Sequence, residues 1–285
     1  MDLSIGSCSW KFPSWSGLVY SSEDPPSFLR EYARKYRTVE IDQWFWSLFG
    51  KESVRLPDPR DVARYLADVD EAFRFGVKVP NSVTLTHLYK YARKDAGKEN
   101  DHFLSPTLMR SFLERIAPMR GRIQSVMFQF EYLNKQKMSG LPEFVDRFSR
   151  FLDDVPPDWP YGVELRNPNY LKPPYFELLR ERGVAHVFAH GYYMPPAYET
   201  YRTFRELIDG PVVLRLLGRD REGIEATTNK RWDSNVDPKD EELDELAWMI
   251  RDLLGRGSQV AVYVNNHYEG SAPRTIERLR ERIAE

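Results

Sequence analysis

Cysteine occurs once in the 285 residues, at Cys8. That scarcity excludes an internal disulfide framework and a zinc site built from cysteines. Neither sign of charge is in surplus: 41 Lys and Arg stand against 43 Asp and Glu, a formal net charge of −2. The chain as a whole therefore gives no electrostatic reason to bind nucleic acid or a membrane unspecifically, and any anion site must be local. No apolar run reaches the roughly 18 residues needed to cross a bilayer. The start, MDLSIGSCSW, has neither the basic flank nor the apolar stretch of an export signal. A cytoplasmic protein with no membrane partner and a reduced Cys8 is expected. Repeats, low-complexity tracts and Gly/Ser linkers are also absent, which favours one domain over the whole of 1–285. Nothing in the sequence sets the oligomeric state.

What is present is an alternation. Short β-rich runs recur at 3–8, 38–42, 73–79, 123–130, 161–166, 184–190, 211–216 and 259–265. Between them lie segments of helical spacing or composition, such as 25–36, 105–117, 141–152, 174–183, 240–255 and 271–283. Strands alternating with helices predict a parallel sheet, and eight such units predict a closed α/β barrel of the TIM (β/α)8 type. The longest insertion, about 80–105, follows the third strand, and connections of that length are usually functional or mobile.

Period two separates the strand faces. One face carries Phe75, Val77 and Val79, then Val126, Phe128 and Phe130, Val163 and Leu165, Val212, Leu214 and Leu216, and Val260, Val262 and Val264. Those residues belong beneath the helices. The other face carries Lys78, Gln129, Glu164, Arg166, Arg215 and Asn265, joined on the second strand by Glu40 and Asp42. They point into the barrel near the C-terminal strand ends, where barrel enzymes place their sites.

Buried charges cost several kcal/mol each unless paired, so a structural network is one reading of any single member. For the set, function is favoured, because apolar side chains pack a barrel interior by default. Lys78, Arg166 and Arg215 would clamp a small anionic substrate bearing phosphate or carboxylate. Glu164 or Glu40 would be the acid/base, Lys78 joining them as a catalytic residue, with Gln129, Asn265 and Asp42 in the binding shell. A second anion feature is read after the last strand, where Gly270 and Ser271 lead into the final helix and the preceding loop adds Arg219 and Arg221. Its plainer reading is a helix cap at Ser271.

Aromatic residues cluster at Trp10, Phe12, Trp15 and Tyr20 and again at Trp44, Phe45, Trp46 and Phe49. They either stack on a ligand, Trp10 foremost, or seal the barrel rim. The third loop interleaves Tyr89 and Tyr91 with Lys90, Arg93, Lys94 and Lys98, a nucleic-acid-like pattern whose plainer reading is a solvated lid. No cofactor is expected. A divalent metal could be composed from His190 with Glu40, Asp42 or Glu164, but no HExxH-type spacing supports one. GRGSQV (255–260) sits before a strand and is a helix stop, not a dinucleotide fingerprint.

Several segments, in order, resemble a known family: GSCSWKFPSW (6–15), VEID (39–42), FGVKVPNSVTLTH (75–87), ELR (164–166), RLLG (215–218) and VNNHYEGSAP (264–273). They are similar to the YecE-like proteins, domain of unknown function 72. The resemblance implies a TIM barrel whose mouth carries Glu40, Lys78, Gln129, Glu164, Arg166, Arg215 and Asn265, and it implies no reaction. The outline is also similar to xylose isomerase-like and endonuclease IV-like barrels, by fold analogy alone. The sequence departs from the family pattern at Ser9 in place of Gly, at Leu217 in place of His, at QWFW (43–46), and at His190 where an Asp is usual. The leading expectation is an acid/base enzyme for an anionic substrate. The alternatives are a nucleic-acid-binding or nucleic-acid-processing barrel and a non-catalytic ligand- or partner-binding barrel.

Overall fold

The computed structural model describes residues 2–51, 53–89 and 95–284. Ten strands follow in chain order: β1 (Leu3–Ser7), β2 (Thr38–Ile41), β3 (Leu48–Gly50), β4 (Ser53–Val54), β5 (Arg74–Lys78), β6 (Ile123–Gln129), β7 (Tyr161–Glu164), β8 (Ala185–Gly191), β9 (Val212–Gly218) and β10 (Val260–Val264). Eight of them close a parallel barrel in the order β1-β10-β9-β8-β7-β6-β5-β2, while β3 and β4 form a separate antiparallel hairpin. Each of the eight runs expected as a strand is a barrel strand.

Helices α1 (Phe28–Lys35), α2 (Pro59–Asp68), α3 (Asn81–Thr84), α4 (Pro106–Ile116), α5 (Leu141–Asp154), α6 (Pro173–Glu181), α7 (Ala197–Phe204), α8 (Arg221–Thr228), α9 (Asp240–Gly255) and α10 (Ala272–Ala284) lie in the connections. Local chemistry sets their starts. Ser27 and Asp58 accept from the amides of Arg30 and Arg60, capping α1 and α2. Three acids, Asp240, Glu241 and Glu242, occupy the first turn of α9, where the helix dipole favours negative charge. Buried residues then recur at helical spacing, Phe144, Phe148 and Phe151 on α5 and Leu243, Leu246, Ile250 and Leu253 on α9. They pack on the outward strand faces, where Phe75, Val77, Phe128, Val163, Leu214 and Val262 are fully buried.

Inside the barrel the side chains form layers. At the floor, Ser4 Oγ donates to Gln124 Oε1 (3.0 Å), and Gln124 Nε2 donates to Thr38 Oγ1 (2.7 Å) and to the Tyr263 hydroxyl (2.5 Å). Strict alternation would put Gln124 on the outer face. The β5–β6 register jumps from Phe75↔Ile123 to Gly76↔Ser125, and this one-residue bulge re-aims Gln124 inward. Tyr263 fits because its neighbour across the lumen is Gly76, where a Cβ would fall 2.6 Å from the ring carbon Cζ. Above the floor, Met127, Val187, Ala189, Val213 and Ala261 pack with Cys8. The charged layer lies above them.

Candidate active site

Arg215, 3% exposed, organises that layer. Its Nε and Nη2 donate to the two oxygens of Glu40 (2.6 and 2.8 Å), and its Nη1 donates to Glu164 Oε2 (2.5 Å) and Gln129 Oε1 (3.2 Å). One guanidinium on β9 thus ties β2, β6 and β7 together across the lumen. Glu164 also lies 2.5 Å from Arg166 Nη2, and Lys78 Nζ lies 3.6 Å from Glu40 Oε1.

These positions decide what each group can do. Burial pushes the Glu164 carboxyl up, but Arg166, Arg215 and Lys78 more than reverse it and hold it down to about 2. Such a group is a poor base. Burial lowers the pKa of Arg215, and Glu164 and Glu40 outweigh it, leaving the guanidinium well above its ordinary value. Asp42, half-buried just beyond β2, behaves differently: burial pushes it up, Lys78 pulls it down, Glu40 pushes it up again, and it titrates at about 6. A carboxyl near neutrality can both take and give a proton. Glu164 and Glu40, the two residues expected as the acid/base, both accept hydrogen bonds from Arg215. Arg215 is likewise committed to carboxylates, not available as a clamp.

The side chains of Lys78 and Arg166 are 11% and 18% exposed. An aromatic face covers each: the Lys78 ammonium sits 5.0 Å from the Phe45 ring centre, and the Arg166 guanidinium 4.6 Å from that of Tyr192. Tyr192 adopts a left-handed backbone, φ 52°, a strained conformation for a bulky residue that persists only when its surroundings impose it. Periodicity gave no signal for either cap.

These observations frame the comparison with known proteins. Residues 4–285 match the family model described as protein of unknown function DUF72. The chain belongs to the DUF72 family. Two curated relatives, the UPF0759 proteins YecE of Escherichia coli strain K12 and of O157:H7, are each 27% identical over 180 residues, 63% of this chain and 54% of theirs. The match thus spans about half the length of those relatives. Among solved structures, the DUF72 family protein TM1631 from Thermotoga maritima MSB8 aligns with TM-score 0.69 at 22% identity, over 100% of both chains. EF0366 from Enterococcus faecalis V583 aligns with TM-score 0.68 at 18% identity, covering 99% of this chain and 96% of that one. At these identities the structures support the barrel alone.

In this DUF72 protein the remaining expected site residues scatter. Asn265 Oδ1 accepts from the backbone N of His267 (3.0 Å) and lies 2.6 Å from its ring Nδ1, so the asparagine shapes the loop after β10. Gly270 and Ser271 are buried, and a Cβ on Gly270 would press on residues 234 and 236. The fully buried Glu269 accepts from Lys239 N, Asn235, Thr275 and Arg278. At the start of α10, where a second anion feature was expected, Ser234 and Val236 lie against Gly270, Asn266 Oδ1 accepts from Ala272 N, and Ser271 Oγ makes no hydrogen bond among the described residues. Trp10, 6% exposed, packs edge-on to Tyr65 at 5.2 Å.

His190 faces outward from β8. Its Nδ1 accepts from Ala197 N (3.1 Å) and its Nε2 pairs with Glu242 (2.7 Å). That corrects its grouping with Glu40, Asp42 and Glu164, from which the barrel wall separates it. Among the described residues no three His, Cys, Asp or Glu gather as a metal site, and no helix is long and apolar enough to cross a membrane. Lys90, Tyr91, Arg93 and Lys94 of the third-loop pattern lie outside the described residues.

Proposed function

We propose that the barrel mouth is an acid/base active site for a small anionic substrate. Lys78 and Arg166 hold the anion, and Asp42 transfers the proton. Glu40, Glu164, Gln129 and Arg215 form the rigid bed beneath. The observation that carries this reading is the half-buried Asp42 titrating at about 6 beside the partly exposed Lys78, with the partly exposed Arg166 on Glu164. Ordinary barrel packing gives no reason for either.

The test is a melting-temperature survey of the full chain with inorganic phosphate, sugar phosphates and small dicarboxylates. A ligand at a hundred times its Kd stabilises by about 2.7 kcal/mol. The expected shift vanishes in Arg166→Ala and survives in Asp42→Asn, which binds without turnover. A shift of equal size in Arg166→Ala would overturn the assignment.

A further inference from the structure

Hydrogen-bonding capacity of both kinds is left unspent at the mouth. On the donor side, Lys78 Nζ stands 3.6 Å from Glu40, beyond hydrogen-bond reach, and the Arg166 guanidinium makes no hydrogen bond to any described residue. On the acceptor side, Glu164 Oε1 is buried and accepts no hydrogen bond among the described residues, although Arg166 Nη2 lies 2.5 Å away. That contact sets charge against charge without an N–H aimed at the oxygen. The other oxygen, Oε2, is taken by Arg215 Nη1. Buried carboxylate oxygens are ordinarily hydrogen-bonded, so an orphan in a charged layer calls for a partner.

The charges of the layer also balance. Once Asp42 is ionised, Glu40, Glu164 and Asp42 stand one for one against Lys78, Arg166 and Arg215. A ligand that brings negative charge alone leaves an excess. It also competes with Glu164 for Arg166, and a buried carboxylate that loses a cation is costly. An ammonium beside the ligand's anion avoids both costs. As Arg166 turns toward the ligand, the ammonium replaces it at Glu164 Oε1, charge for charge. A hydroxyl there satisfies the oxygen but not the charge.

We infer that the mouth recognises a 2-amino carboxylate as its zwitterion, with the carboxylate on Lys78 and Arg166 and the ammonium on Glu164 Oε1. This rests on the mouth being the anion site, and it narrows that anion to the carboxylate of an amino acid. Asp42 is left free to move the proton. Inorganic phosphate fits less well, because it adds negative charge and no cation to a balanced layer.

The experiment is titration calorimetry of the full chain near neutral pH with two matched series and inorganic phosphate. One series is L-alanine, L-lactate and propionate, the other L-aspartate, L-malate and succinate. In at least one series the amino acid is expected to bind roughly tenfold or more tighter than the bare acid, with the hydroxy acid between. Glu164→Gln should erase that advantage and leave bare-acid binding in place, whereas Arg166→Ala should weaken every member. Should Glu164→Gln fail to fold, the wild-type ranking decides alone. Bare acids or phosphate binding as tightly as the amino acids, and through Arg166, would overturn the zwitterion and keep the mouth. An amino-acid preference lost in Glu164→Gln but indifferent to Arg166→Ala would overturn the mouth as the anion site. A preference that survives Glu164→Gln, a hydroxy acid equal to its amino acid in both series, or no binding by any member would overturn the inference.

Discussion

Replacing Arg215 with Met tests how the mouth is built. The wild-type guanidinium is 3% exposed and makes four hydrogen bonds to Glu40, Glu164 and Gln129. Without it, among the described residues, Glu40 and Glu164, 0% and 1% exposed, keep only Lys78 at 3.6 Å and Arg166 at 2.5 Å as ion-pair partners. Removing one partner of a buried pair costs about 3–5 kcal/mol, and here one cation serves two carboxylates, so the upper part of that range is expected. The loss should depend on pH. A buried carboxyl deprived of its cation binds its proton more tightly folded than unfolded. The folded state then carries the extra proton, so stability falls as pH rises above about 4.5. Urea unfolding at pH 5 and pH 8 reads both effects, and the loss at pH 8 should exceed that at pH 5 by about 1 kcal/mol or more. The triple variant Glu40→Gln, Glu164→Gln, Arg215→Met, which removes all three charges, should recover most of the stability. A loss below about 1 kcal/mol, or one identical at both pH values, would refute the argument.

Asp42 gives the complementary signal. Its carboxyl is raised from 3.8 to about 6, so the folded state holds a proton the unfolded state has released, and wild-type stability falls as pH rises through that window. Asp42→Asn should flatten this slope and gain up to about 3 kcal/mol at pH 7; an unchanged slope in urea titrations would place the ionisation elsewhere. Glu164, lowered from 4.5 to about 2, contributes in the opposite sense: its stabilisation is present above the ordinary value and is lost as pH falls through the folded one. Below about pH 4.5 the Asp42→Asn protein should therefore lose stability with acid, and a Glu164→Gln background should reduce that loss, the remainder coming from other carboxyls held low by their partners, such as Asp252 beside Arg205. The Cys8 thiol, 5% exposed and raised by burial and then by Glu40, should resist a thiol reagent until urea unfolds the chain. Native labelling at the rate of a free thiol would contradict that burial.

The barrel was legible because period two is a consequence of backbone geometry that parallel strands cannot escape. Val126, Phe128 and Phe130 had to face one way and Met127 and Gln129 the other, and they do. Gln124 shows the limit: a bulge adds one residue, and no periodic signal announces it. Helices α2, α7 and α8 did not stand out as separate periodic segments. Each buries only two or three residues, too few to impose a period on a short stretch. His190 was misgrouped for a related reason. On β8 the small residues Ala185, Val187 and Ala189 face the lumen, and the larger His186, Phe188 and His190 face the helices, so its polarity did not mark the inner face.

At the mouth, sequence parity collected the charged residues without assigning their partners. Arg215 sits opposite Tyr263 and Ala189 in the sheet register, yet its hydrogen bonds run to β2, β6 and β7. Connections through a lumen follow side-chain length and rotamer, to which hydrophobic periodicity is blind. The consequence is a division of labour that the residue list alone conceals. Where carboxylates saturate a guanidinium, as at Arg215, the network is fixed and serves as scaffold. Lys78 and Arg166, partly exposed and roofed by Phe45 and Tyr192, can exchange a weak aromatic contact for a charged ligand without exposing a buried ion. On the proposed reading, that asymmetry directs the anion to Lys78 and Arg166, and the proton to Asp42.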